Sequence, residues 1–431
     1  MQTRPRARSC YAGVLLTILL STTTTSAQTT SRYNEPYPVA ASKKGLQVER
    51  VDDALALGVR HAAINVNLTG LMDPTGDPQN PSWESGGRRF YFQRGYLESL
   101  DRQIKPLSDR GVLVHLILLA YESRQPMIDQ IMMHPRFDSS CPNHLSAFNT
   151  VTDDGRAWFV ALCEFLAERW SRPDQAFGRA VGYIVGNEVN SHWWWSNMGR
   201  VSLDDFLVDY ERTVRLAHSA IRSQSSWARL YVSLEHHWNI RYPAGDKEQS
   251  FAGREFLEKF AARCRAQGDF DWHLAFHPYP ENLFEPRFWL DKSALDTADT
   301  PRITFKNLPQ LTAFMQQEPM HFAGQPRHII LSEQGFHTPA GNDGELIQAA
   351  AYCYAYRLVE NEPAIDAFIL HRHVDNAHEG GLLLGLRSNQ ARGDEALPKK
   401  RSYACFQAAD TPDWRAAFEF ALPVIGLDDW P

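Results

Sequence analysis

The 431-residue chain has little of what staples, metallates or anchors a protein. It carries six cysteines, one of them at position 10. The other five, Cys141, Cys163, Cys264, Cys353 and Cys405, are scattered and form no Cys-x-x-Cys pair, so a structural zinc site is not expected. Five is odd, so at least one thiol stays free or pairs between chains, and a core of this size folds without disulfides. After residue 27 no apolar run is long enough to cross a bilayer. No Gly-x-Ser-x-Gly elbow occurs, which argues against a serine hydrolase of that type. No glycine-rich phosphate loop follows an early strand, which argues against a nucleotide-binding open sheet. Low-complexity linkers and internal repeats are missing too. A single domain over residues 37–431 is therefore expected, preceded by a polar leader at 28–36.

Positive charge is also scarce. The formal charge is −7, and residues 1–27 contain Arg4, Arg6 and Arg8 but no acid, so without them it is −10. Nucleic acid is not an expected partner. Those three arginines, the apolar stretch 11–20 and the small residues Thr25-Ser26-Ala27 have the pattern of a secretory signal cleaved near Ala27. The pattern predicts a secreted or periplasmic protein that leaves the membrane after cleavage. It carries no information on oligomeric state.

What the chain does have is alternation. Strand-like runs fall at 37–41, 61–67, 112–120, 180–188, 230–235, 272–277, 328–333 and 365–371. Amphipathic segments lie between them, at 46–57, 158–170, 204–223, 251–266, 308–317 and 345–359. In 204–223, Phe206, Tyr210, Val214, Ala217 and Ile221 recur at three- and four-residue steps and make one apolar stripe. Cys163, Cys264 and Cys353 fall in such helical segments. Parallel neighbours need a crossover helix, so about eight repeated units predict an α/β fold of the (β/α)8 barrel type. All eight strand ends then share one face, where the long segments 69–91, 121–153, 278–301 and 372–400 would gather.

Two of these runs end on an acid. Gly182-Tyr183-Ile184-Val185-Gly186-Asn187-Glu188 closes the fourth, and His328-Ile329-Ile330-Leu331-Ser332-Glu333 closes the seventh. A carboxylate at the end of an apolar strand must find water or a partner. In a barrel, Glu188 and Glu333 face each other across the mouth, and paired carboxylates are the machinery of glycoside hydrolysis. The competing reading is a salt-bridged structural pair. Twelve Trp and fifteen Tyr offer rings for sugar faces as well as for the core.

The motifs Val185-Gly186-Asn187-Glu188 and Leu331-Ser332-Glu333-Gln334-Gly335, in that order and on those strands, resemble clan A of the glycoside hydrolases. His277-Pro278-Tyr279 on the sixth strand adds a third match. The resemblance implies a retaining hydrolase of β-linked oligo- or polysaccharides that needs no cofactor. Glu188 would be acid/base and Glu333 nucleophile. Asn187 would bind the sugar 2-hydroxyl, Tyr279 would hold Glu333 ionised, and His277 would lie near the acid/base or the substrate. His192 and Trp193-Trp194-Trp195 form either a sugar-stacking platform or an apolar plug. Glu235 and His236 end the fifth strand; Glu235 rivals either catalytic role, orients a neighbour or binds a hydroxyl. His371 and Arg372 follow the eighth strand, where many clan members carry a Trp. Ile64-Asn65-Val66-Asn67 stands where several families carry an Arg near the nucleophile, a place that Arg372 could take in space. These departures leave no individual family assigned. Two alternatives remain: a carbohydrate-binding barrel without turnover, and a metal-dependent barrel hydrolase. The latter usually opens with His-x-His on its first strand, and this chain does not.

Overall fold

The longest apolar runs became strands with little change of bounds. In the computed structural model, which describes residues 1–2, 35–391 and 395–431, eight parallel strands close a barrel. They are β1 Lys44–Gln47, β2 His61–Asn67, β3 Leu113–Leu119, β4 Gly182–Val185, β5 Arg229–Glu235, β6 Trp272–His277, β7 Ile329–Gln334 and β8 Ile365–Leu370. Each pairs with the next in sequence, and β8 pairs with β1 to complete the circle. One helix of the outer ring follows each strand: α1 Val51–Ala56, α2 Arg94–Ser108, α3 Asp153–Arg169, α4 Leu203–Gln224, α5 Gly253–Ala266, α6 Pro309–Met315, α7 Gly344–Glu360 and α8 Arg401–Ala408. This is the (β/α)8 barrel expected from the alternation. The described residues from 35 onward form one compact unit. The expected secretory signal and most of the expected leader lie outside the described residues. Among the described residues no helix is long and apolar enough to cross a membrane.

The expected stripe of α4 faces inward: Phe206, Tyr210, Val214, Ala217 and Ile221 are buried. Ser202 starts that helix, its hydroxyl accepting from the Asp205 amide. Most of the aromatic excess is core: Trp170, Trp238 and Trp272 are among the largest fully buried side chains. All five cysteines outside the first residues are buried and free.

The first strand is where expectation and structure part. The segment 37–41 is not a strand; Pro38 offers no N–H to a ladder, and Val39 is 95% exposed. The true β1 is short and polar. Lys44 is buried because it reaches Asp410, and its neighbour is glycine because a Cβ there would meet Ile369 Cγ1 at 2.8 Å and His61 Cβ at 2.9 Å. The helix expected at 46–57 accordingly shrinks to α1. The segment 69–91, expected as loop, contains an antiparallel sheet of Met72–Asp73, Ser82–Ser85 and Arg88–Phe92.

Inside the barrel, small and branched side chains fill the middle: Ala63, Ile117, Ile184, Ala275, Ile330 and Ala367. Below them, buried His61, His115, Tyr231 and His273 form a floor. At the strand starts Arg229 pairs with Asp366 at 2.7 Å, and Asp366 pairs with His328 at 2.8 Å. The Tyr37 ring, from the segment misread as a strand, lies 3.7 Å from the Arg229 guanidinium. The C-terminal end of the barrel carries an open cavity of about 980 Å³.

Candidate active site

Regular strands alternate their side chains between two sides, so two successive residues cannot both serve a barrel mouth unless the strand end is irregular. Both acid-bearing ends are irregular. After β4 the chain turns through Gly186 at φ 81° and Glu188 at φ 41°, left-handed values that suit glycine but strain a glutamate. The turn is held by the Glu188 amide, which donates to Ser233 Oγ on β5 at 3.0 Å. It lets Asn187 and Glu188 both line the cavity. On β7 the pairing with β8 slips between Leu331 and Gln334. This bulge re-aims the strand end: Ser332 points to His277 and Glu333 to the cavity.

Glu188, His277 and Glu333 each place one side-chain atom within 4.8 Å of the others. A carboxylate oxygen of Glu188 therefore lies within 4.8 Å of one of Glu333. His277 is the link. Its Nδ1 is 2.8 Å from Glu188 Oε1, and its Nε2 is 2.9 Å from Ser332 Oγ. Tyr279 donates its phenol to Glu333 Oε1 at 3.2 Å, and Gln47, the last residue of β1, donates to Glu333 Oε2 at 3.1 Å.

These surroundings push the two carboxyls apart. Burial raises the pKa of Glu188 above the ordinary glutamate value, the charges of Glu333 and Glu235 add to this, and the His277 contact only partly offsets it. Burial raises Glu333 too, but His371, His277, Gln47 and Tyr279 together outweigh it and leave its pKa lowered. His277 is also raised: burial lowers it, and the hydrogen bond to Glu188 with the nearby carboxylates more than reverses that. The surroundings thus favour the protonated form of Glu188 and the ionised form of Glu333. The Tyr279 phenol is pushed far up by burial and by Glu333, so it remains a donor.

The third carboxylate of the region is already engaged. Glu235 Oε1 accepts from Asn190 at 2.7 Å and Ser191 at 2.9 Å, and Oε2 accepts from the His237 amide at 2.9 Å and meets the His237 ring. Burial pushes Glu235 up, yet His237 and His236 bring it down to about 2. With its oxygens spent on the β4 loop, Glu235 clamps that loop. The same bonds occupy the Glu235–His236–His237 group, whose ligand atoms are otherwise close enough for a metal ion. His236 lines the cavity, with Nδ1 3.1 Å from the Tyr279 carbonyl.

The tryptophan run divides. Trp195 lines the cavity; Trp193 and Trp194 do not, and Trp194 packs edge-on to Tyr242 at 4.6 Å. His192 is fully buried behind the wall, stacked on Phe251 at 5.0 Å, because the short helix His192–Trp195 turns it toward the core. It does not line the cavity, which fits the apolar plug of the two alternatives and not the sugar-stacking platform. Arg372 lines the cavity but does not replace a strand-two arginine beside Glu333; it pairs with Glu49 at 2.9 Å and with Glu379. His371, its neighbour, is the group that approaches Glu333.

Several residues that the sequence reading passed over complete the mouth. Gln47 was hidden by the misplaced first strand. Tyr121, at the end of β3, is close enough to Glu333 for that charge to raise its pKa, second to burial. Tyr242 and Phe284 add rings. Glu379 lies mid-loop with no motif around it. Asn187 and Glu379 both line the cavity, and the buried acceptors Asn187 Oδ1 and Glu379 Oε2 have no partner among the described residues. Buried acceptors are rarely left so.

Gly335 closes this strand end, and a Cβ there would meet the His371 carbonyl oxygen at 2.0 Å. Gly335→Ala is expected to lower stability by about 1–3 kcal/mol, as overpacking does. Urea denaturation measures this, and an unshifted midpoint would contradict the tight β7–β8 approach.

A sequence model of the "Family of unknown function (DUF5722)" matches residues 36–431. No curated protein matches the chain. Similar solved structures include a family 39 glycoside hydrolase from Bacteroides cellulosilyticus WH2, with TM-score 0.53 and 12% identity over 84% of this chain and 60% of that one. This chain thus spans less than two thirds of that protein. A β-glucosidase from Pyrococcus furiosus has TM-score 0.54 and 14% identity, over 87% of this chain and 86% of that one. A family 1 β-glucosidase from Thermotoga maritima has TM-score 0.51 and 13% identity, over 88% and 86%. At such identities the likeness is one of fold, the eight-stranded parallel barrel.

Proposed function

The chain belongs to the DUF5722 family, whose function is unknown, and from that premise we propose that it is an exported glycoside hydrolase cleaving a β-linked oligo- or polysaccharide with retention. One observation carries the reading: two carboxyls with oxygens within 4.8 Å, one pushed toward its acid form and the other held ionised. Retaining enzymes hold the pair about 5–5.5 Å apart, whereas inverting ones leave about 6.5–9.5 Å for a water. Divergent carboxyl pKa values are the usual mark of an acid and a nucleophile.

In the proposed cycle Glu333 attacks the anomeric carbon while Glu188 gives its proton to the departing glycosidic oxygen. The glycosyl–Glu333 ester forms as the C–O bond to the leaving group breaks. Glu188, now a carboxylate, takes a proton from water, whose oxygen attacks the anomeric carbon and frees Glu333. His277 fixes Glu188 and Tyr279 fixes Glu333. Asn187 and Glu379, which line the cavity, bind sugar hydroxyls, and Trp195, Tyr121 and Tyr242 supply ring faces. The reaction requires no cofactor in this scheme.

The test is incubation of the full chain with aryl β-glycosides and defined β-linked polysaccharides, with and without a chelator. Proton NMR of the first product reports its anomer. Release of the β-anomer, insensitive to chelation, supports the reading. An α-anomer first product overturns retention, and loss of activity with chelator points to a metal-dependent hydrolase. Glycan binding with no product from any substrate favours a binding barrel.

A further inference from the structure

Glu333 is a half-buried carboxylate whose ionised form is favoured by positive charge close by. The groups that face it are Gln47 from β1, Tyr121 after β3, Glu188 after β4, His277 and Tyr279 from the end of β6, and His371 after β8. Two of these are histidines. His277 is committed to Glu188 and Ser332. The other leads into a chain of hydrogen bonds that the proposed cycle leaves unused.

A carboxylate only accepts, so Gln47 must present its amide NH2 to Glu333, and its carbonyl then faces His371. His371 Nδ1 lies 2.6 Å from Gln47 Oε1 and therefore donates. On the other side of the ring, Nε2 lies 2.9 Å from Glu379 Oε1. Arg372 forms an ion pair with this Glu379 oxygen, and a carboxyl held by a guanidinium is ionised. Nε2 must then donate as well. An imidazole that donates from both nitrogens is a cation. Arg372, bound to the same oxygen of Glu379 and to Glu49, keeps the anchor charged.

We infer that His371, clamped between Glu379 and Gln47, is the cationic positioning residue that keeps Glu333 ionised and aimed, with Gln47 as the bridge. The inference deepens the glycosidase reading, since it is the nucleophile of that reading that is positioned. It places on β1 and β8 the job that the absent strand-two arginine leaves open.

The test needs no substrate, so its outcome is separate from that of the hydrolysis panel. The full chain, labelled with 13C at the glutamate side-chain carboxyls, is titrated by NMR, and Glu333 is assigned by its missing signal in Glu333→Gln. In the wild type, Glu333 is expected to titrate below the ordinary glutamates. In His371→Gln its midpoint should rise by about one pH unit or more, the usual effect of losing a nearby opposite charge. Gln47→Ala should move it the same way by a smaller amount, because it removes the bridging donor, and His371→Lys should restore most of the drop. Should His371→Gln fail to fold, His371→Asn carries the test. An unmoved midpoint in the variants that fold overturns the assignment. A raised midpoint in a protein that hydrolyses nothing upholds it and overturns only the glycosidase reading.

Discussion

Glu333→Ala is expected to lower turnover of any accepted glycoside by on the order of 10⁴-fold or more, because it removes the atom that bonds to the anomeric carbon. The fold should survive, since Glu333 lies at the mouth and its partners Gln47 and Tyr279 stay reachable by water. Azide fits the space left by the carboxylate. It should restore cleavage of activated aryl glycosides and give the glycosyl azide of inverted configuration. Steady-state kinetics with product NMR checks both points. A variant retaining a tenth or more of wild-type activity would remove Glu333 from the role.

Glu188→Ala tests the partner and has a different signature. Substrates with poor leaving groups should slow by about 10²–10⁴-fold, the usual worth of a positioned general acid. Dinitrophenyl glycosides need no acid, so their first step should be nearly spared and their second slowed. Azide should then accelerate turnover and yield the glycosyl azide of retained configuration. The pH profile gives an independent check. Under the proposed mechanism, wild-type activity needs Glu333 ionised and Glu188 protonated. The lowered pKa of Glu333 carries activity down into acid before that limb falls, and the raised pKa of Glu188 delays the alkaline limb. In Glu188→Ala the acid limb should remain and the alkaline limb should vanish. If the alkaline limb persists unchanged, another group is the acid.

The strands that were legible are those whose own composition explains them. β2 and β6 are apolar runs bounded by polar residues, and their bounds match the expected 61–67 and 272–277. β1 could not be read, because its stability comes from elsewhere: Lys44 reaches Asp410, and Gly45 is needed only because Ile369 and His61 crowd it. The site divides along the same line. Glu188 and Glu333 announce themselves as acids at the ends of apolar strands. Gln47 and Glu379 do not, since an amide on a polar strand and a carboxylate in a loop gain meaning only from His371, which the fold sets between them. In Trp193–Trp195 the residue type was legible and the facing was not. A one-turn helix directs each ring differently, and only Trp195 meets the cavity.

The filled barrel floor bears on traffic. With Ala63, Ile117, Ile184, Ala275, Ile330 and Ala367 packing the interior, and Tyr37 over Arg229 beneath, the described side chains fill the barrel axis below the cavity. Under the proposed mechanism, substrate would enter and both products would leave by the mouth. Departure of the first product is then expected to precede the attack of water on the glycosylated Glu333.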